Sequence, residues 1–187
     1  MEDRRVRKTK KALMDSFAIL LQKKPLKNIT VREIAELADI NRGTFYLHYK
    51  DVYDMAEQIQ KEIYTRLDEI ISEYVPSEDE KTLVPVLVKF FEMLTEYSEL
   101  AKSLIGKNGD AEFAAMLRNM IRDKCFSNIY KTLNLSNNDS YAYFYCFTEL
   151  GCIGILERWL IGGMKESPAD MAMLTEEFIL KGLEAVK

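Results

Sequence analysis

Residues 30–55 read TVREIAELADINRGTFYLHYKDVYDM, and the order of capping and apolar positions in this stretch sets the fold expected of the chain. Thr30 and Glu33 stand three apart as a capping box, and Ile29 and Ile34 occupy the flanking staple positions, so a helix starts at Val31. It runs to Leu37 or Ala38, because Asp39-Ile40-Asn41 supplies a turn and a new N-cap at Asn41. A third short helix follows from Arg42 to about His48. Lys50-Asp51 breaks it, and Asp51 with Asp54 opens a fourth helix with the apolar stripe Val52, Met55, Ile59, Ile63, Leu67, Ile70 and Tyr74. That helix, from Asp51 to Tyr74, is about 36 Å long. Upstream, Leu13, Phe17 and Leu20, with Met14, Ala18 and Leu21 beside them, recur at helical spacing and give a first amphipathic helix ending before Pro25.

Two short helices joined by a three- or four-residue turn, after a basic helix, form the pattern of a helix-turn-helix, whose second helix enters the DNA major groove. The residue types of the third helix suit that task. Arg42 and Thr44 lie at its N-terminal end, where Arg can read guanine bidentately and Thr can offer a hydroxyl or pack on a thymine methyl. Tyr46, His48 and Lys50 carry donors for phosphate oxygens. Phe45 and Tyr49, four apart, are the expected buried anchors. Gly43 near the start of so short a helix costs about 1 kcal/mol relative to Ala, and close approach of backbone to a phosphate would offset it.

Charge is divided in the same sense. The 187-residue chain has a formal charge of -4, yet residues 1–50 carry +6 and the remainder -10. A basic head on an acidic body suits binding of a polyanion at one end, with a solvated charged tail as the structural alternative. Arg4, Arg5 and Arg7 read as an arm for phosphates or the minor groove, or as a frayed tail. The 48% hydrophobic and 30% charged composition is that of a soluble globular chain, and no apolar run approaches the roughly 20 residues of a bilayer span. Asp15 and Ser16 interrupt the only apolar stretch near the N-terminus, so no signal peptide and no membrane association are expected, and the location expected is cytoplasmic. Cys125, Cys146 and Cys152 form no C-x-x-C pair and read as buried small apolar side chains.

His48 is the sole histidine, which leaves neither a Ser-His-Asp arrangement nor a paired Glu-x-x-His metal site. Neither G-x-x-x-x-G-K nor G-x-G-x-x-G occurs. No catalytic residue, metal or cofactor is therefore expected.

The stretch ITVREIAELADINRGTFYLHYKDVYDM, and RGTFYLHYKD within it, closely resembles the DNA-binding signature of the tetracycline-repressor (TetR) family of bacterial regulators, over about residues 7 to 56. The resemblance implies that Thr30 and Arg32 contact backbone or a base, that Arg42, Gly43 and Thr44 face the bases, and that Tyr46, His48 and Lys50 clamp phosphates. Two positions depart from the family. Asp39 replaces the usual turn glycine, and Asp is among the residues that tolerate the left-handed conformation. Val52 stands where a phosphate-contacting lysine is common, so that contact is not expected.

The body is also helical. A polar break at 76–80 precedes a helix with Leu83, Leu87, Phe90, Phe91 and Leu94; after Gly106-Lys107-Asn108-Gly109 another helix spans Ala111 to about Leu133, and 134–139 is a loop. From Ser140 to Ile161 the chain is apolar nearly all round, with only Glu149, Glu157 and Arg158 charged. Such a helix must be covered on more than one side, by its own domain and by a second subunit. The Gly162-Gly163 corner turns it into a last helix, capped at Ser167-Pro168-Ala169-Asp170, with Met171, Leu174, Phe178 and Gly182 on one face and Thr175, Ile179, Leu183 and Val186 beside it. In the TetR family the last two helices usually pair with those of a second subunit, and GILERWLIGGMKESPADMAML resembles a C-terminal domain found in a subset of TetR-like proteins.

The fold expected is all-α: an N-terminal three-helix helix-turn-helix head, residues 1–50, linked by a long helix to a helical regulatory, ligand-binding and dimerisation body, residues 51–187. The partners expected are double-stranded DNA with a palindromic operator, a second copy through Gly151, Ile155, Leu174 and Phe178, and a small-molecule effector. The effector pocket would be lined by Phe90, Phe91, Tyr97, Phe126, Tyr130, Tyr145 and Trp159, unless these aromatics only fill a core. A ligand-responsive repressor is the leading reading; an activator or a regulator whose body binds a protein, and a helical enzyme fused to a DNA-targeting head, are the rivals.

Overall fold

The computed structural model describes residues 4–73, 82–103, 115, 119, 123 and 139–184, with the side chains of 139–141 and 145 left aside. Tyr74, the break at 76–80, the glycine break at 106–109, most of the helix expected at 111–133, the loop that follows it, Cys125, Phe126, Tyr130 and Val186 fall outside these residues. Every described element is helical: α1 (Arg4–Leu21), a 3₁₀ turn (Leu26–Asn28), α2 (Val31–Leu37), α3 (Arg42–Tyr46), α4 (Val52–Ser72), α5 (Val84–Glu96), α6 (Ser98–Ser103), α7 (Asp139–Ile161) and α8 (Pro168–Glu184).

Two compact units emerge. The first contains the residues up to Tyr64 and a segment beginning at Tyr97. Its core is Leu13, Phe17, Leu21, Ile34, Phe45, Met55 and Ile59, each at most 2% exposed. The α2 cap is as expected: Thr30 Oγ1 accepts from Glu33 N at 3.3 Å, and the Thr30 N–H donates to Glu33 Oε2 at 3.0 Å. Ile29 and Ile34 are both buried beside it. At the other end of α2, Asp39 takes φ 54°, while Ile40 N donates to Ala35 O at 2.9 Å and Asp39 N to Glu36 O at 3.3 Å. These are the two bonds of a Schellman ending, formed around an aspartate instead of a glycine. Val52 is buried, 6% exposed, so it serves as a core anchor of α4.

α6 also belongs to this unit. It packs on α1, and Gln22 Nε2 donates to Glu99 O at 3.0 Å and to Glu99 Oε2 at 3.3 Å. The Tyr97 hydroxyl donates to Glu62 Oε1 on α4 at 2.6 Å. Arg4, Arg5 and Arg7 lie in the exposed first turns of α1, so the basic segment is helical from Arg4 on rather than a frayed tail.

The second unit contains the end of α4 with α5, α7 and α8. α5 lies along α8, and α7 packs on α8 as well. Its core includes Leu67, Ile70, Leu83, Phe91, Trp159, Ile179 and Leu183. Glu176 of α8 reaches across to the start of α5: its Oε1 accepts from Thr82 Oγ1 at 2.7 Å, from Val84 N at 3.2 Å and from Leu83 N. The α7–α8 corner closes on Gly163, at φ 86°, with Met164 N donating to Trp159 O at 2.9 Å. Ser167 and Asp170 then cap α8, Asp170 N donating to Ser167 Oγ at 3.1 Å. Trp159 Nε1 donates to Glu166 O at 3.1 Å, which ties the corner to the core.

Candidate nucleic-acid interface

α3 is held from beneath by its aromatics. Phe45 is fully buried and Tyr49 is 6% exposed, with ring centroids 5.4 Å apart. At about 100° per residue, the outward pole opposite Phe45 falls between Gly43 and Leu47, with Thr44 and Tyr46 to either side. Exposure follows this geometry: Arg42, Gly43, Tyr46, Leu47 and Lys50 are exposed, while Thr44 and His48 are half-buried. Thr30 and Arg32 at the start of α2 are exposed as well. All eight residues expected to meet DNA thus lie in the first unit with accessible side chains or backbone.

The helix is two residues shorter than the sequence spacing predicts, ending at Tyr46 rather than His48. Leu47 N and His48 N bond back three residues, to Thr44 O at 3.3 Å and Phe45 O at 2.9 Å, the tightened ending common at helix C-termini. Asn41 caps the start, its Oδ1 accepting from Gly43 N at 2.8 Å. The joint to α4 is also fixed: Asp51 Oδ1 accepts from Asp54 N at 2.8 Å, and Asp54 Oδ2 accepts from Lys50 N at 2.7 Å. The Lys50 backbone bond, with Gln58 adding a second, holds the Asp54 carboxyl below its usual range.

Gly43 is not demanded by the fold. Among the described residues, a Cβ placed there would meet only Asn41 Oδ1, at 3.4 Å, an ordinary contact, and its φ is not left-handed. The helix-propensity cost of glycine is therefore not offset within the chain.

Electrostatics around α2 brace the frame. Lys24 Nζ lies 2.5 Å from Glu33 Oε1, and this bond, with those from Thr30, lowers the Glu33 carboxyl to about 2. Arg32 pairs with Glu36 at 2.7 Å, an exposed ion pair that contributes little to stability.

In the second unit, α7 lacks a polar face, and this chain covers only part of it. Tyr143, Phe147, Leu150 and Ile161 are exposed large apolar residues on α7, as are Met173, Leu174 and Phe178 on α8. Cys146 lies on the same uncovered side and is exposed, which corrects its expected burial; Cys152 is half-buried, and burial pushes its thiol up to about 11. Gly151 is exposed and Ile155 half-buried. Both line a groove of about 510 Å³ shared with Gly154, Trp159, Met171 and Leu174, and edged by Arg158 and Lys165.

Of the expected pocket aromatics, Phe91 and Trp159 are 1% and 3% exposed and meet edge to face at 5.2 Å. Phe90, half-buried, stands beside Phe91 at 6.0 Å. Tyr97 belongs to the first unit, on Glu62. Phe126, Tyr130 and the Tyr145 side chain are outside the described residues. Among those residues, no three of His, Cys, Asp or Glu converge as a metal site would need, and no helix is long and apolar enough to cross a membrane.

Comparison with known proteins converges on the head and the body separately. Residues 13–59 match the profile of bacterial regulatory proteins of the tetR family, and residues 81–181 match a transcriptional regulator C-terminal region of TetR type. A TetR transcriptional regulator from Streptococcus agalactiae is similar in structure, with 20% identity, a TM-score of 0.57 and coverage of 95% of this chain and 96% of the other. The fatty acid degradation regulator FadR from Bacillus halodurans has 15% identity and a TM-score of 0.61, covering 98% of both chains. FadR from Bacillus subtilis, in complex with stearoyl-CoA, has 16% identity and a TM-score of 0.57, covering 92% of this chain and 97% of the other. No curated protein sequence matches. At these identities the structural likeness is one of fold, whereas the two profiles between them span head and body. The chain belongs to the tetR family of bacterial regulatory proteins, the DNA-binding regulators of transcription.

Proposed function

We propose that the chain is a cytoplasmic, homodimeric, ligand-responsive repressor that reads a palindromic operator in double-stranded DNA and performs no catalysis itself. The observation that carries the DNA reading is the two-sidedness of α3: Phe45 and Tyr49 are buried, and Arg42, Gly43, Tyr46 and Lys50 point outward. One helix this short meets few bases, so two copies are needed for a site of useful length. Arg42, Gly43 and Thr44 take the base edges; Tyr46, His48 and Lys50, with Thr30 and Arg32, take backbone and flanking contacts. The dimer reading rests on the uncovered apolar side of α7 and α8, with Gly151, Ile155, Leu174 and Phe178 on the pairing face.

Control would pass along α4. This one helix has Val52 and Met55 buried at its start and Leu67 and Ile70 buried near its end, and it contributes to both units. A largely apolar effector entering beside Phe90 would open the Phe91–Trp159 contact in the second unit. It shifts DNA affinity only if it prefers one state of the protein. Coupling of about 1–3 kcal/mol, ordinary for such regulators, would change DNA affinity about 5- to 150-fold.

Binding measurements on Arg42 and Lys50 variants test the DNA reading. Arg42→Ala is expected to relax specificity at one position per half-site, at about 1–3 kcal/mol. Lys50→Ala is expected to weaken all sequences alike and to flatten the salt dependence. Loss of neither would refute the assignment of this face. Calorimetry of an effector with and without operator tests control: equal affinities would refute the coupling.

A further inference from the structure

The most exposed large apolar side chain of the described residues is Leu47, at 80%. It stands at the C-cap of α3 with helical backbone angles, φ -71° and ψ -20°, so the helical geometry of Arg42–Tyr46 extends through it. It lies about 200° around the axis from buried Phe45, at the outward pole. A leucine there points back over the preceding turn, toward Gly43 and Thr44. Gly43 offers no side chain to cover it. The result is an apolar step one turn on from Thr44, with Arg42, Tyr46 and Lys50 exposed around it.

Among the described residues, nothing accounts for a leucine at this place. It makes no core contribution at that exposure, and the core side of α3 is already filled by Phe45 and Tyr49. Its surroundings argue for a polyanion, since residues 1–50 carry +6, and α3 is the recognition helix. In the major groove the base edges present hydrogen-bonding atoms and a single apolar group, the C5-methyl of thymine. We propose that Leu47 is a specificity residue that reads a thymine methyl, one in each half-site. This rests on the DNA-binding reading above and goes beyond it by naming the group that is read. The contact forms no hydrogen bond; its selectivity comes from removing the leucine and the methyl from water together, which disfavours the other bases because they offer no apolar partner there.

The test uses the full chain. Duplexes enriched from a random pool define the bound sequence, and each thymine in it is then replaced by deoxyuridine, which deletes only the methyl. One thymine per half-site is expected to lose about fourfold in affinity on that replacement, the worth of a buried methyl-sized group. With Leu47→Ala, thymine and deoxyuridine at that position are expected to bind equally. Leu47 is exposed, so the variant should melt as the parent does. Methyl dependence that persists undiminished in Leu47→Ala overturns the assignment and moves the contact to another residue, Thr44 first. An enriched site with no methyl-dependent thymine overturns it too, leaving the regulator reading intact, and would make the exposed leucine a contact for a protein bound beside DNA. Failure to enrich any sequence contradicts the regulator reading and this inference with it.

Discussion

Glu33 and Thr30 close the start of α2 reciprocally, the Thr30 N–H on Glu33 Oε2 at 3.0 Å and the Glu33 N–H on Thr30 Oγ1 at 3.3 Å. The same carboxylate takes Lys24 at 2.5 Å, and it titrates near 2 instead of about 4.5. A carboxyl depressed on folding adds stability that is fully present above its unfolded value and is lost as pH falls through its folded value. The head is therefore expected to lose stability as pH drops from about 4.5 to about 2. Glu33→Gln should flatten that part of the profile. Melting temperature against pH for both proteins checks it; parallel profiles would show that the cap and the Lys24 pair add nothing.

Gly43 separates stability from function. Among the described residues, no atom excludes a side chain there, and alanine is the better helix former by about 1 kcal/mol. Gly43→Ala is expected to raise stability by about 0.5–1 kcal/mol, in part through the unfolded chain, and to weaken operator binding because the new methyl stands between backbone and DNA. Denaturant melts and mobility shifts on the same preparation check both halves. A stabler protein with unchanged DNA affinity would remove Gly43 from the interface.

Phe178, 53% exposed, and its neighbours on α7 and α8 are expected to be covered by a second copy. A carboxylate buried there would be left unpaired among apolar groups. Phe178→Asp should forfeit the roughly 1.5–3 kcal/mol of a buried phenylalanine per subunit and shift the protein to monomers. Light scattering reads the mass directly. A variant that remains dimeric would place the pairing face elsewhere.

Local signals were legible in the sequence and long-range ones were not. The Thr30–Glu33 box, the Asn41 and Ser167 caps and the turn at Asp39 depend on residues a few positions apart, so spacing alone reveals them. The buried role of Phe45 and Tyr49 followed from their four-residue separation. By contrast, α6 docks on α1 through Gln22 and Glu99, 77 positions apart, and Glu176 caps α5 from 92 positions away; no periodicity encodes such pairings. The aromatics of the body show the same limit. Tyr97 follows α5 directly, yet its hydroxyl is bound to Glu62 in the first unit. Cys146 departs from the burial usual for a free cysteine because it lies on the side of α7 that this chain leaves uncovered. Leu47 carries no local signal of its own: its place on the side opposite Phe45 follows from where α3 begins and ends.

The central claim, a dimeric reader of a symmetric site, is tested most directly by selection of bound duplexes from a random pool followed by footprinting on the enriched sequence. Two inverted half-sites are predicted, with centres about 34 Å or a multiple of one helical turn apart and two chains bound per duplex. A single unrepeated site protected by one chain, or the absence of any enriched sequence, would contradict it.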